Sequence, residues 1–322
     1  MNKLQQFLFG WQRAVISVFI CCLSIFLTAW LLIHYQLPGN TQFLKALQNS
    51  GHALIFFCLS LIICVSLRRL RLFKQRKIMA AVAILICICV NAFVEIIQAG
   101  INHQSSWSDL LLDTAGAVAG GLLFISFYTT QKRRTLLIVS VVALLLYSLS
   151  SPIYWLYANF NRNYAFPIIA DFDNTWLNLY FDTEYSARHQ ILKAPEEWRD
   201  NQSQVIKVDF DTGPWPGLIT SDVVRNWGSY HHFVFDIYNP HSQTLELVLR
   251  IHDAQHNNRH ADRFNRTFNV VPGYTQIKVA INEIQNGPKN RELDIKNIVG
   301  FMVYMSHPAQ SYTLYFDNFR LE

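Results

Sequence analysis

The sequence predicts two folds in series: an α-helical membrane bundle of five transmembrane helices over residues 1–157, then an all-β sandwich of the jelly-roll kind over 171–322. Residues 158–170 read as the linker. Three observations carry this. Long apolar runs crowd the first half. Charge is divided, with 3 acidic and 13 basic residues before position 171 but 19 acidic and 14 basic from there on. The second half shows short β-branched and aromatic runs between turn residues, without helical periods. The net charge of +5 is therefore the sum of positive membrane loops and a mildly acidic soluble domain. It does not argue for nucleic acid.

The spans are expected at 14–34, 52–67, 78–98, 108–128 and 135–157, each near the length that crosses a hydrocarbon core. The first could be a signal peptide, since Lys3 and Arg13 precede it. It is long for one, and no small-residue cleavage site follows, so it reads as an uncleaved helix. The last ends in Pro152, Tyr154, Trp155 and Tyr157, an interfacial aromatic belt. Positive charge lies at the N-terminus, at 68–77 after the second span and at 131–134 after the fourth. With five spans these segments share one side only if the N-terminus is cytoplasmic. The expectation is a multi-pass protein of the inner membrane with its C-terminal domain outside the cytoplasm. All six cysteines lie in apolar runs, where they read as small buried hydrophobes rather than as disulfides or zinc ligands.

Before position 171 the acidic residues are Glu95, Asp109 and Asp113 alone. An ionised carboxylate in hydrocarbon costs about 3 kcal/mol or more, so it persists where a partner, a cavity or a task requires it. Glu95 and Gln98 share a helix face. Asp109, Asp113, Gly116 and Gly120 form one stripe, in which the two glycines make a small-xxx-small pattern for close helix approach. The turn at 100–107 is short, making a hairpin of the third and fourth spans. His52 opens the second span and His103 lies in the turn. A membrane polar pocket of His52, Glu95, Gln98, His103, Asp109 and Asp113 is one reading. A clamp that sets helix register, with Asp109 or Ser108 capping the fourth span, is the other.

The ordered set Glu95-x-x-Gln98, short turn, Asp109-x-x-x-Asp113-x-x-Gly116-x-x-x-Gly120, with a histidine opening an earlier span, resembles the VanZ-like membrane domain family over about residues 40–125. The chain departs from that pattern at three places. Gln48-Asn49-Ser50-Gly51 stands where the family has an Asp-Lys pair before the histidine. His103 stands where an arginine is common, and Asp113 where asparagine is usual. The resemblance implies envelope biology, its namesake being associated with glycopeptide antibiotic resistance.

In the second half seven strands are expected, at 205–210, 232–238, 245–252, 264–271, 276–281, 298–305 and 312–321, with turns at 239–240, 272–273 and 286–288. About 150 residues suffice to bury a core without disulfides. The 250–265 stretch is dense in polar groups. Arg250, His252, Asp253, Asp262, Arg263 and Asn265 suit a ligand surface, directing hydrogen bonds at hydroxyls. Asp253, His256, His260 and Asp262 could alternatively hold a metal, or the loop could simply be solvated. In 213–232, Trp215, Trp227 and Tyr230 offer flat faces for sugar rings or fill the core.

The segment 312–321 resembles the last strand of galactose-binding-like jelly rolls, the fold of many carbohydrate-binding modules, and Asp171-Phe172-Asp173 resembles their opening strand. That resemblance implies adjacent first and last strands with a structural Ca²⁺ near them, for which Asp171, Asp173 and Asp317 would supply oxygen. No other cofactor is expected.

Together these readings favour a non-catalytic envelope protein in contact with membrane lipid, whose jelly roll binds an envelope glycan, glycolipid or lipid-linked saccharide. A membrane enzyme acting on a lipid-linked substrate through Glu95 or Asp113 is the alternative, without a nucleophile motif, P-loop or metal signature in its favour. A proton-coupled transporter is a third, weakened by the lack of an internal repeat. Oligomeric state does not follow from the sequence.

Overall fold

The structure is a computed structural model. It describes residues 3–35, 37, 39, 41–100, 107–199 and 201–322, with backbone only for 3–10, 98–100, 107–109 and 221. The chain forms two compact units, Met1–Trp155 and Leu156–Glu322.

The first unit holds α1 (Lys3–His34), α2 (Gln42–Leu70), α3 (Arg76–Gly100), α4 (Trp107–Ser126), α5 (Gln131–Ser148) and the start of α6 (Ser150–Ala165). The Thr41 hydroxyl caps α2 by accepting from the Leu44 amide at 3.3 Å. Arg71, in the left-handed conformation with φ 56°, ends it. Beyond that end, the Arg68 and Arg76 guanidiniums lie 4.7 and 5.0 Å from the centre of the Tyr128 ring, clasping the tail of α4 to α2 and α3. Phe56, Leu59, Ile63, Met79, Ala83 and Phe124 form the bundle core.

Among the described residues, three helices (α1, α2 and α3) are long and apolar enough to cross a membrane, and a fourth span arises if α5 and α6 count as one. The expected count of five is thus met only in part. The expected fifth span breaks at Leu149, where α5 and α6 meet at 42°.

The expected linker is helical up to Ala165 and then forms β1 (Ile168–Ala170). Residues 158–165 are held by the second unit. Arg162 stacks on the Tyr180 ring at 4.6 Å and pairs with Asp222 at 3.3 Å, while the Tyr180 hydroxyl donates to Asn159 Oδ1 at 2.8 Å.

Among the described residues the second unit is an antiparallel sandwich of eleven strands, four more than expected. Besides β1 these are β2 (Phe181–Glu184), β3 (Ala187–Lys193), β4 (Gln204–Phe210), β5 (Gly217–Ser221), β6 (His232–Asn239), β7 (Leu245–Asp253), β8 (Phe264–Val270), β9 (Gly273–Ala280), β10 (Ile298–Tyr304) and β11 (Tyr312–Leu321). A short α7 (Thr175–Asn178) precedes β2, and α8 (Ile281–Gln285) follows β9. One sheet runs β3-β4-β11-β6-β9, with β1 beside the end of β11; the other runs β2-β5-β10-β7-β8. The missed strands β1, β2, β3 and β5 are short or lack apolar alternation. In β7, by contrast, Leu245, Leu247, Leu249 and Ile251 are buried while Glu246 is exposed and Val248, Arg250 and His252 are half-buried. The core between the sheets is aromatic, with Phe235 stacked on Phe319 at 4.9 Å and Phe233 edge-on to Phe301 at 5.0 Å.

Candidate functional site

In the membrane-type unit the glycine stripe decides the packing. A methyl group on Gly116 would lie on the Ala53 carbonyl oxygen, and one on Gly120 on the Phe57 carbonyl oxygen, both far inside van der Waals contact. Helices α2 and α4 therefore run in the same direction with a constant offset. One turn back from Gly116, Asp113, 2% exposed, comes level with Ser50, whose hydroxyl donates to the Ser148 carbonyl on α5 at 2.5 Å. Gly121 approaches Ile84 and Ala80 of the oppositely directed α3.

Glu95 and His52 are half-buried. The side chains of Gln98 and Asp109, and all of His103, lie outside the described residues. Asn91 was not anticipated. It is 2% exposed, its Nδ2 has no hydrogen-bond partner among the described residues, and it precedes Glu95 by one helical turn on the same face. That spacing was the available signal.

In the sandwich, the open face of the β2-β5-β10-β7-β8 sheet carries Arg250 and Asn265 of the expected ligand residues. Cross-strand pairing aligns Ile219, Met302, Arg250 and Asn265 in one row, and Gly217, Tyr304, Val248 and Thr267 in the next. The absence of a side chain at Gly217 is required there, because its Cβ would lie 2.7 Å from that of Tyr304. Trp215, 45% exposed, meets Tyr185 and His307 edge-on, each at 5.8 Å between ring centres. A groove of about 540 Å³ opens along the β7–β8 side, lined in part by Val248, His260, Asn265, Thr267, Tyr304 and Pro308.

Other expected ligand residues lie elsewhere. Trp227 is fully buried and stacks on Phe233 at 5.2 Å, so it is core and offers no face to a sugar. Tyr230 packs edge-on against Phe166 at 5.3 Å. Asp253 and Asp262 are gripped by Arg291, 38 and 29 residues further along the chain, a distance across which sequence patterning gives no signal. Arg291 Nη1 and Nη2 donate to Asp253 at 2.6 and 2.8 Å, and Nε donates to Asp262 at 2.6 Å. These bonds hold the Asp262 carboxyl down at about 2 and raise the Arg291 pKa. His252 is half-buried between Arg250 and His256, and burial followed by the Arg250 charge pushes its imidazole down to about 4.

The three carboxylates expected near a calcium ion are each engaged by donors. Asp171 Oδ1 accepts from the Asn174 amide at 3.1 Å and Asp173 Oδ1 from the Gln204 amide at 2.9 Å. Asp317, 1% exposed, accepts from Asn201 Nδ2 at 2.7 Å, Ser203 Oγ at 2.9 Å and the Asn318 amide at 2.8 Å. A calcium ion takes oxygen ligands, and a carboxylate ringed by N–H and O–H groups does not fit one. Among the described residues no group of three or more metal-ligating side chains forms. Burial raises the Asp317 carboxyl to about 6.

These two titrations act on stability in opposite directions. His252 is depressed in the folded state, so the unfolded chain binds the proton more tightly and stability falls as pH drops from 6.5 to about 4. Asp317 is raised, so its contribution grows as pH drops from about 6 towards 3.8. The stability difference between the wild-type protein and His252→Asn is expected to shift by roughly 3 kcal/mol between pH 7 and 4, to the disadvantage of the wild type. Urea unfolding at the two pH values measures it; an unchanged difference contradicts the burial argument.

Helical spans followed by an antiparallel sandwich with an open, aromatic-flanked sheet face define the class: a membrane protein with a β-sandwich domain. Within that class, residues 18–129 match the VanZ/LLP1 family model. The C-terminal part is similar to carbohydrate-binding-module jelly rolls among solved structures. One is the family 11 module from Clostridium thermocellum in complex with a β-1,3-1,4-mixed-linked tetrasaccharide, at 16% identity over 48% of this chain and 93% of that one, TM-score 0.37. Another is the family 11 module of a cellulosomal cellulase from the same organism, at 14% identity over 48% and 92%, TM-score 0.36. An exo-β-agarase is similar at 14% identity over 48% of this chain and 25% of its own, TM-score 0.39. No curated protein matches the chain by sequence.

Proposed function

We propose that the protein is a non-catalytic, multi-pass inner-membrane protein that binds an envelope glycan, glycolipid or lipid-linked saccharide on the open face of its five-stranded sheet. On this reading α4, packed against α2 and α3, and the bent pair α5–α6 serve as the fourth and fifth spans. The basic segments at 3–13, 68–77 and 131–134 then all lie in the cytoplasm and the sandwich outside it. The observation that carries the binding reading is the pairing of exposed Trp215 and Tyr185, 45% and 60% exposed, with the directional polar side chains of Arg250, Asn265 and Thr267 on one sheet face. Flat aromatic faces bury sugar rings, while guanidinium and amide groups select hydroxyl positions. Asp113 and Asn91 act in this account as a polar clamp between helices.

The full-length protein in phosphatidylcholine nanodiscs, applied to an array of envelope polysaccharides, is expected to retain at least one glycan. Trp215→Ala is expected to weaken that retention about ten-fold or more with little effect on thermal stability, because the indole is a surface platform. No retention of any glycan removes the reading. A Trp215→Ala protein that binds as well as the wild type moves the site off this face.

A further inference from the structure

Resting on that reading, we infer that the Arg250–Arg263 end of the sheet face is a subsite for the oxyanion of an acidic saccharide, a carboxylate, sulfate or phosphate ester. Arg250 stands on the open face of β7, paired with Met302 on β10 and Asn265 on β8. Arg263 directly precedes β8 and its Nε donates to Asn265 Oδ1 at 3.0 Å, and Asn265, the cross-strand neighbour of Arg250, lines the groove. They lie within each other's field. Burial first, and the Arg250 charge next, disfavour the charged form of Arg263.

The nearby acids are committed elsewhere. Asp253 and Asp262 belong to Arg291, and Glu283 pairs with Arg266 at 2.7 Å. Among the described residues neither Arg250 nor Arg263 makes an ion pair. Arg250 Nε, a buried donor, has no acceptor there either. Buried donors and like charges held together cost free energy unless something completes them. A planar or tetrahedral oxyanion does so, since guanidinium forks match its geometry. The aromatic end at Trp215 would take the ring and the arginine end its acidic group.

Calorimetric titration of the full-length protein in phosphatidylcholine nanodiscs with hexagalacturonic acid and with its fully methyl-esterified form tests the subsite. The acid is expected to bind at least ten-fold tighter than the ester, with the advantage shrinking as salt rises. Arg250→Gln and Arg263→Gln are each expected to erase the advantage, while Arg188→Gln on the other sheet keeps it. Equal binding of acid and ester, or an advantage that survives both substitutions, overturns the subsite and leaves the glycan reading standing. Should neither oligosaccharide bind, inorganic sulfate and phosphate decide. Thermal stabilisation of the wild type that is lost in Arg250→Gln upholds the anion site while the glycan reading fails, and no stabilisation overturns the site.

Discussion

Arg291→Leu is expected to destabilise the sandwich by about 3–5 kcal/mol, the cost of leaving a buried charge without its partner. The Asp253 side chain has no exposed surface, and it holds both terminal nitrogens of Arg291 together with the Asp294 amide at 2.8 Å. Removing the guanidinium strands a carboxylate that water cannot reach, and it also cuts the bond from the 291 segment to Asp262, which keeps only the Asn257 amide at 2.9 Å and His256. The double variant Arg291→Leu/Asp253→Asn should recover much of the loss, because the penalty belongs to the orphaned charge more than to the missing bond. Arg266→Gln provides the contrast. Its pair with Glu283 is 42% and 45% exposed, and such surface pairs contribute about 1 kcal/mol or less. Denaturant unfolding followed by tryptophan fluorescence measures all three, and similar losses for Arg291→Leu and Arg266→Gln would contradict the clamp.

Gly116→Leu is expected to prevent the helical bundle from packing, at a cost of about 3 kcal/mol or more. The α2 backbone at Ala53 occupies the place of the missing Cβ, so no rotamer of the new side chain relieves the clash. Helix association in lipid depends on this closeness, since lipid tails are as apolar as leucine and leave no hydrophobic drive for helices to associate. Gly51→Leu, on the neighbouring helix, is the control, because a Cβ there meets nothing within 4 Å. Yield of monodisperse protein in detergent and its thermal midpoint distinguish them. Equal behaviour of the two variants would mean that α2 and α4 do not meet at Gly116.

The glycine stripe was legible because close helix approach leaves a chemical trace, small residues at four-residue spacing, and Gly116 and Gly120 serve that purpose against Ala53 and Phe57. The seven anticipated strands were legible because half-buried sheets alternate, as β7 does residue by residue. Short strands such as β1 and β2 carry too few residues to show a period. The site was legible only in part. Arg250 and Asn265, read as parts of one polar stretch, stand as cross-strand neighbours. Trp227 and Asp253 have the composition of ligand residues but are fully buried or nearly so.

By itself the sequence determined the division into an apolar, basic half and a β-rich, acidic half, together with the helix stripe that packs the first. Hydropathy, charge and periodicity are local properties, and a chain displays them before it folds. Which polar groups face outward was decided by tertiary structure. Whether Asp253 meets a ligand or Arg291, and whether Trp227 meets a sugar or Phe233, depends on segments distant in the chain arriving at one place, and residue type does not encode who arrives.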